Sequence, residues 1–202
     1  MGIYDRYLAY RVRRLTAPAP AHVALIITER DLLQTGAYDT LEAFLTWAFD
    51  YQAERVTVYV SVLDRDAVPP LQRALADIQS PVDMAVIGPE GAEQSTAPIQ
   101  VSIGLGGKHE FAQTVQRIVR RVEAGALDPD EIDATDIEDH LIFSHEPDLV
   151  IKTGAERLSD FMIWQSVYSE LYFTDVNWQN FRRRDYLRAL LSYKQRHRRY
   201  GR

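Results

Sequence analysis

Apolar positions along the chain repeat with two different periods. His22-Val-Ala-Leu-Ile-Ile27 is a nearly unbroken apolar run and Leu149-Val-Ile151 a short one, while Arg55-Val-Thr-Val-Tyr-Val60, Val82 to Ile87 and Ile99-Gln-Val-Ser-Ile103 are further candidate strands. Short continuous runs of β-branched residues predict strands covered on both faces, as in the middle of a parallel sheet. Between them the spacing becomes helical. Leu41, Phe44, Leu45 and Ala48 share one face of a helix predicted over Leu41 to Tyr51, and further helices are predicted over Pro69 to Ile78 and Glu110 to Glu123. Proline suits the first turn of the second of these. The acidic stretch Asp128 to His140 predicts a short capped helix, and Arg183 to Arg199 a long basic one. Strands alternating with helices predict an α/β fold: a single domain with a mostly parallel central sheet and helices on both faces.

The N-terminal stretch stands apart. Tyr4, Tyr7, Leu8 and Arg11 fall at helical spacing within Ile3 to Leu15, and Thr16-Ala-Pro-Ala-Pro20 breaks the pattern. Residues 1–20 are therefore expected to form an N-terminal helix and linker, and residues 21–202 the domain. Arg11, Arg13 and Arg14 make the end of this helix basic. Such a helix can pack on the domain edge or dock on anionic lipid headgroups. Its short, tyrosine-rich apolar face favours the edge.

Composition narrows the class. At 202 residues and 46 % hydrophobic content, the chain can bury one full core, so it is globular. The net charge of −6 argues against nucleic-acid binding, and the absence of cysteine excludes disulfides and Cys-based zinc sites. No apolar run approaches the ~20 residues that span a bilayer. Without a signal-peptide pattern, the expected location is the cytoplasm, with membrane association left open.

The chemistry concentrates between Pro147 and Phe173, P-D-L-V-I-K-T-G-A-E-R-L-S-D-F-M-I-W-Q-S-V-Y-S-E-L-Y-F. Lys152, Thr153, Gly154, Arg157 and Ser159 follow the strand Leu149 to Ile151. A cation, hydroxyls and glycine at the carboxyl end of a strand are where an open α/β sheet binds an anion. Phe161, Met162, Trp164 and Tyr168 then crowd together ahead of Glu170. A carboxylate among so many apolar groups calls for a cation, a metal or a hydrogen-bond donor. Residue by residue, a buried strand, a loop and a core helix would explain the same letters. A second glycine-rich turn, Gly104-Leu-Gly-Gly-Lys108, opens a helix and could cradle phosphate, although it is neither a P-loop nor G-x-G-x-x-G.

Taken whole, the string resembles the signature region of the cis-prenyltransferases, the undecaprenyl and polyprenyl diphosphate synthases, which runs P-D-L-x-I-R-T-x-G-E-x-R-x-S-N-F-x-x-W-Q-x-x-Y-x-E-L-Y-F. The family's N-Y-G-G-R segment sits where Gly104 to Lys108 stand here. The resemblance implies that such proteins condense an allylic diphosphate with isopentenyl diphosphate, using Mg2+ and a long apolar cleft. It implies that Arg157 and Ser159 hold the isopentenyl diphosphate, with Lys152 at a position usually held by arginine. Lysine keeps the charge but loses the bidentate fork. The loop from Lys152 to Arg157 is one residue shorter than in the family pattern. Glu170 matches the family's metal-binding glutamate, contributed across a dimer interface, and Arg199 and Gly201 match the R-x-G ending that completes the partner's site.

The allylic half departs from the pattern. Where the family has M-D-G-N-x-R-W-A, this chain reads Ile27-Thr28-Glu29-Arg30-Asp31, with Thr28 at the position of the catalytic aspartate. The arginine-rich segment that follows is missing. At the family's F-S-T-E-N-W the chain has Val60-Ser-Val-Leu-Asp-Arg-Asp66, lacking asparagine and tryptophan. Glu29 and Asp31 are the nearest carboxylates. Shifts of one and three residues displace an oxygen by several ångströms, beyond the ~0.5 Å that metal-assisted chemistry tolerates.

Three functions are therefore weighed. The first is an accessory subunit of a heteromeric enzyme, paired with a catalytic chain that carries D-G-N. The second is an active homodimeric transferase with a short product. The third is a non-catalytic protein that binds isoprenoid diphosphates. Under the first two, the aromatic groups from Phe161 to Tyr172 are expected at a subunit interface, and the C-terminal tail is expected to reach the partner's diphosphate site.

Overall fold

The computed structural model describes residues 2–89, 95–104, 107–141, 145–154, 164 and 166–196. Six strands form one sheet: β1 (His22–Thr28), β2 (Arg55–Ser61), β3 (Met84–Ile87), β4 (Ile99–Gly104), β5 (Leu149–Thr153) and β6 (Glu170–Thr174). Their order is β3-β4-β2-β1-β5-β6, and every pairing is parallel. The helices are α1 (Ile3–Arg14), α2 (Glu29–Leu32), α3 (Ala37–Asp50), α4 (Val68–Ala76), α5 (Gly107–Glu123), α6 (Ala134–Glu138) and α7 (Arg183–Gln195).

Five strands and the main helices lie where the hydrophobic pattern predicts them, within a few residues. β6 was not foreseen. The Ser-Glu-Leu-Tyr-Phe stretch reads as the continuation of an aromatic-rich segment, yet residues 170–174 pair with β5, Leu149 opposite Glu170 and Lys152 opposite Phe173. As an edge strand it lacks the continuous apolar signature of strands buried on both faces.

Strand order fixes which face each helix covers. From β1 the chain steps through β2 to β3 in one direction, and from β4 it crosses back over β2 and β1 to β5. Right-handed crossovers then place α3 and α4 on one face and α5 on the other. Side-chain parity agrees. Val23, Leu25, Ile27, Val56, Val58, Val60, Ile99, Val101 and Ile103 join Leu41, Phe44, Leu45, Leu71, Leu75, Leu187 and Leu190 in the main core. Each such side chain, fully buried, contributes about 1.5–3 kcal/mol. Ala24, Ile26, Tyr59 and Val150 form a much smaller cluster on the opposite face. That second face is also polar, with Thr57, Gln100, Ser102 and Lys152 all buried.

Among the described residues, the deepest aromatic group lies between α3 and the start of α7. Phe44, Trp178, Phe181 and Tyr186 meet edge-on or stacked at centroid distances of 5.5–6.2 Å. The Trp178 indole N–H donates to the Ala37 carbonyl at 3.0 Å, which ties the segment before α7 to the first turn of α3. α3 ends where Gln52 turns left-handed (φ 73°) and the Ala53 N–H donates to the Ala48 carbonyl at 3.0 Å, the six-to-one bond of a Schellman cap.

The amino ends of the strands are stitched by two residues. Asp148 accepts from the N–H groups of Ala21 and His22 at 2.7 and 2.9 Å. His22 Nδ1 donates to the Glu146 carbonyl at 3.2 Å, and Nε2 accepts from the Thr57 hydroxyl at 2.8 Å. Burial holds the His22 pKa down at about 4. No described helix is long and apolar enough to cross a membrane.

Candidate functional site at the carboxyl end of the sheet

After β1 the chain moves toward β2, while after β5 it moves toward β6, although β1 and β5 are neighbours. The loops leaving these two strands therefore diverge. In an open parallel sheet this switch point leaves a crevice at the carboxyl ends, where ligands bind. Thr28 closes β1 on one side of the crevice, and Lys152, Thr153 and Gly154 lie at the end of β5 on the other. Ile26 and Lys152 are in register across the gap.

Thr28 has a defined local role. It is the N-cap of α2: the Asp31 N–H donates to Thr28 Oγ1 at 3.3 Å. In return Asp31 Oδ2 accepts from the Thr28 N–H at 2.8 Å and from its hydroxyl at 2.9 Å, a capping box. Glu29 Oε2 accepts from the Leu63 N–H at 3.3 Å. Both carboxylates nearest Thr28 are thus committed to backbone donors.

On the other side of the crevice, Lys152 is 6 % exposed and shares the α5 face of the sheet with Val150. Thr153 is buried, and its hydroxyl has no hydrogen-bond partner among the described residues. Gly154 adopts φ +78°, which strains any other L-residue, and its N–H donates to the Val176 carbonyl at 3.2 Å. The strand thereby ends in a sharp turn at the crevice. Gly104, which closes β4, lies at the same end of the sheet, opposite Ser61. A Cβ on Gly104 would meet the Tyr59 hydroxyl at 2.6 Å and ring carbons at 2.8 and 2.9 Å, so glycine here makes room for a tyrosine that the sequence reading did not single out. The signal for it was the polar-tipped ring inside the otherwise aliphatic run of β2.

Glu170 sits elsewhere. It opens β6 opposite Leu149, three residues back from Lys152, or ~10 Å along the strand. By parity it belongs with Tyr172, on the α7 side. It is not sealed among apolar groups: its side chain is 23 % exposed, and Oε2 accepts from the Arg196 guanidinium at 2.8 Å, which also donates to the Leu171 carbonyl at 3.1 Å. Arg196 reads in the sequence as part of a solvated charge run. Arg157, Ser159, Arg199 and Gly201 lie outside the described residues, as do Phe161 and Met162. Trp164 stacks on Phe111 of α5 at 6.4 Å and donates to Glu138 at 3.3 Å, while Tyr168 is exposed.

One chain therefore brings Thr28 and Lys152 together at the crevice and keeps Glu170 apart. Among the described residues no group of three or more His, Asp or Glu comes together as a metal site. With Glu170 paired to Arg196 and Asp31 occupied by a cap, the described residues of a single chain do not fit a magnesium ion.

Comparison with known proteins bears on this arrangement. Residues 73–201 match the family model for undecaprenyl diphosphate synthase. The geranylgeranyl-diphosphate-specific tritrans,polycis-undecaprenyl-diphosphate synthase of Thermoplasma volcanium is 45 % identical over 107 residues, covering 52 % of this chain and 42 % of that protein. In such relatives the matched part is under half of their length. The short-chain Z-isoprenyl diphosphate synthase of Mycobacterium bovis is 30 % identical over 247 aligned positions, spanning 99 % of this chain and 95 % of that protein. Among solved structures, lavandulyl diphosphate synthase of Lavandula x intermedia in complex with dimethylallyl diphosphate superposes with a TM-score of 0.73 at 24 % identity, over 91 % of this chain and 99 % of that one. That likeness concerns the fold.

Proposed function

Because the chain belongs to the undecaprenyl diphosphate synthase family of cis-prenyltransferases, we propose that it serves isoprenoid diphosphate synthesis as the accessory subunit of a heteromeric enzyme in the cytoplasm. In this reading it supplies the isopentenyl diphosphate half-site and a catalytic partner carries the aspartate. The observation that carries the proposal is the capping box of Thr28 and Asp31. It occupies the end of β1, where the resemblance calls for a carboxylate free to meet metal and allylic diphosphate. The opposite wall keeps a buried cation and a glycine turn, the parts an isopentenyl diphosphate site needs.

Lys152, Arg157 and Ser159 would bind the diphosphate of isopentenyl diphosphate, with Lys152 acting as a point charge in a site shielded from water. Arg199 and Gly201 would complete the partner's site. Glu170 would serve a metal only in the assembled complex, alongside donors from the partner, once Arg196 has moved aside.

A second reading is an active homodimer with a short product. The likeness to a short-chain synthase over nearly the whole chain favours it. So does the filling of the space between the sheet and α3 and α4 by Leu41, Phe44, Leu45, Leu71 and Leu75, none more than 6 % exposed.

Prenyl transfer from several allylic diphosphates to isopentenyl diphosphate, assayed with this chain alone and with a family member that carries the aspartate, separates the readings. Activity only in the mixture supports the accessory role. Turnover by the chain alone supports the homodimer. Neither, with isopentenyl diphosphate still bound, leaves a diphosphate-binding protein.

A further inference from the structure

α1 gives the core only Leu8 and Val12 and packs along α7. Its opposite side carries a surface with no role in the reading above. Ile3, Tyr7 and Tyr10 are 90 %, 52 % and 58 % exposed. Arg6, Arg13 and Arg14 are exposed beside them. At about 100° per residue these six lie on the half of the helix turned away from Leu8, with Tyr7, Tyr10 and Arg14 along one flank and Arg6 and Arg13 along the other. The Arg11 guanidinium sits 5.8 Å from the Tyr7 ring centre and that of Arg14 5.7 Å from the Tyr10 ring centre. The face is thus a mosaic of cations and amphipathic rings.

Its charge contrasts with the rest of the chain. α1 holds four arginines and one aspartate, net +3, in a protein of net −6. A cleft of about 460 Å3 opens beside its carboxyl end, lined by Arg13, Leu15, Asp50, Tyr51, Leu190 and Lys194. Two cations against one acid suit a phosphate at its mouth. A basic face with tyrosine rings and one protruding isoleucine matches the interface of an anionic bilayer, where rings sit at headgroup depth and guanidinium groups meet phosphates.

We propose that the outward face of α1 docks the protein on an anionic phospholipid surface, with Tyr7 and Tyr10 in the headgroup layer and Arg6, Arg13 and Arg14 against lipid phosphates. This goes beyond the accessory-subunit reading and does not depend on it, because binding to lipid is measured without any prenyl transfer.

The test is sedimentation of the full chain with vesicles of phosphatidylcholine alone and of phosphatidylcholine mixed with phosphatidylglycerol. The chain should bind the mixed vesicles and not the neutral ones. Arg13→Gln/Arg14→Gln should weaken binding at least about ten-fold, since each basic group near such a surface contributes a several-fold gain. Tyr7→Ala/Tyr10→Ala should weaken it several-fold while leaving the charge unchanged. Circular dichroism checks that both variants stay folded, as expected for side chains pointing away from Leu8 and Val12. Failure to bind the mixed vesicles overturns the proposal, as does equal binding by the parent and the arginine variant. Binding that needs the arginines but ignores the tyrosines also overturns it, because the aromatic face would then lie off the membrane.

Discussion

Thr28 and Asp31 are joined by three hydrogen bonds at 2.8, 2.9 and 3.3 Å, and this pair closes the strand that faces Lys152 across the switch point. The residue that the resemblance sets at the aspartate position is a helix cap here, and the Asp31 carboxylate is spent on it.

Replacing Thr28 therefore acts on stability before chemistry. Thr28→Asp removes the hydroxyl that donates to Asp31 and sets a second carboxylate beside it. Urea unfolding should show a loss of about 1–2 kcal/mol. The variant should show no prenyl transfer on its own, because the arginine segment that would clamp an allylic diphosphate is still missing. Turnover by the unmodified chain would overturn the accessory reading, and turnover by Thr28→Asp alone would show that the arginine segment is not needed.

On the β5 side the prediction concerns binding. Arg157→Ala should weaken isopentenyl diphosphate binding by roughly 1.5–3 kcal/mol, the worth of a hydrogen bond to a charged group. Lys152→Met should weaken it as well, while nearly preserving the volume of a side chain that is 6 % exposed. Isothermal calorimetry on the chain and on its complex measures both. Unchanged affinity would show that the diphosphate binds elsewhere.

Gly104→Ala should destabilise the fold by about 1–3 kcal/mol, the usual cost of overpacking, because its Cβ falls 2.6–2.9 Å from the Tyr59 hydroxyl and ring. Tyr59→Phe in the same chain should recover only part of the loss, since the ring carbons remain. Thermal melts of the two variants check this.

Acid sensitivity should come from His22. Folding lowers its pKa from 6.5 to about 4 by burial, so the folded chain binds fewer protons than the unfolded one between those values. The stability this contributes is present above pH 6.5 and is lost as pH falls toward 4, on the order of 3 kcal/mol in all. His22→Gln should flatten the stability profile across that window. An unchanged slope in urea titrations from pH 7 to 4 would assign the acid sensitivity to other groups.

The tail beyond Arg196 should matter to the complex and not to the chain. Deleting Tyr200 to Arg202 should leave assembly with a catalytic partner intact and abolish prenyl transfer, read by light scattering and assay. Arg196→Ala should barely change stability, since ion pairs this exposed contribute about 0–1 kcal/mol. Full activity in the truncated complex would remove the tail from the site.

The sequence by itself determined the family and most of the elements, β6 excepted. Apolar period is a local property, and in β1, β2, β4 and β5 all but the end residues Thr28, Arg55 and Ser61 are buried, so the strands could be read directly. The string from Pro147 to Phe173 carried the resemblance because its residues lie close together in sequence. The tertiary structure alone decided what depends on partners far along the chain. Glu170 reads as a carboxylate among aromatics, but pairing with β5 places it at the far end of an edge strand, where Arg196 reaches it from the end of α7. Trp178 and Phe181 look like loop residues until α3 packs against them and Ala37 accepts the indole proton. Asp31 reads in the sequence as a carboxylate displaced too far to replace the aspartate, and only the turn of β1 into α2 shows it folded back onto Thr28. Strand order and hydrogen-bond partners join groups as far as 184 residues apart, and no local period of the chain encodes such pairings.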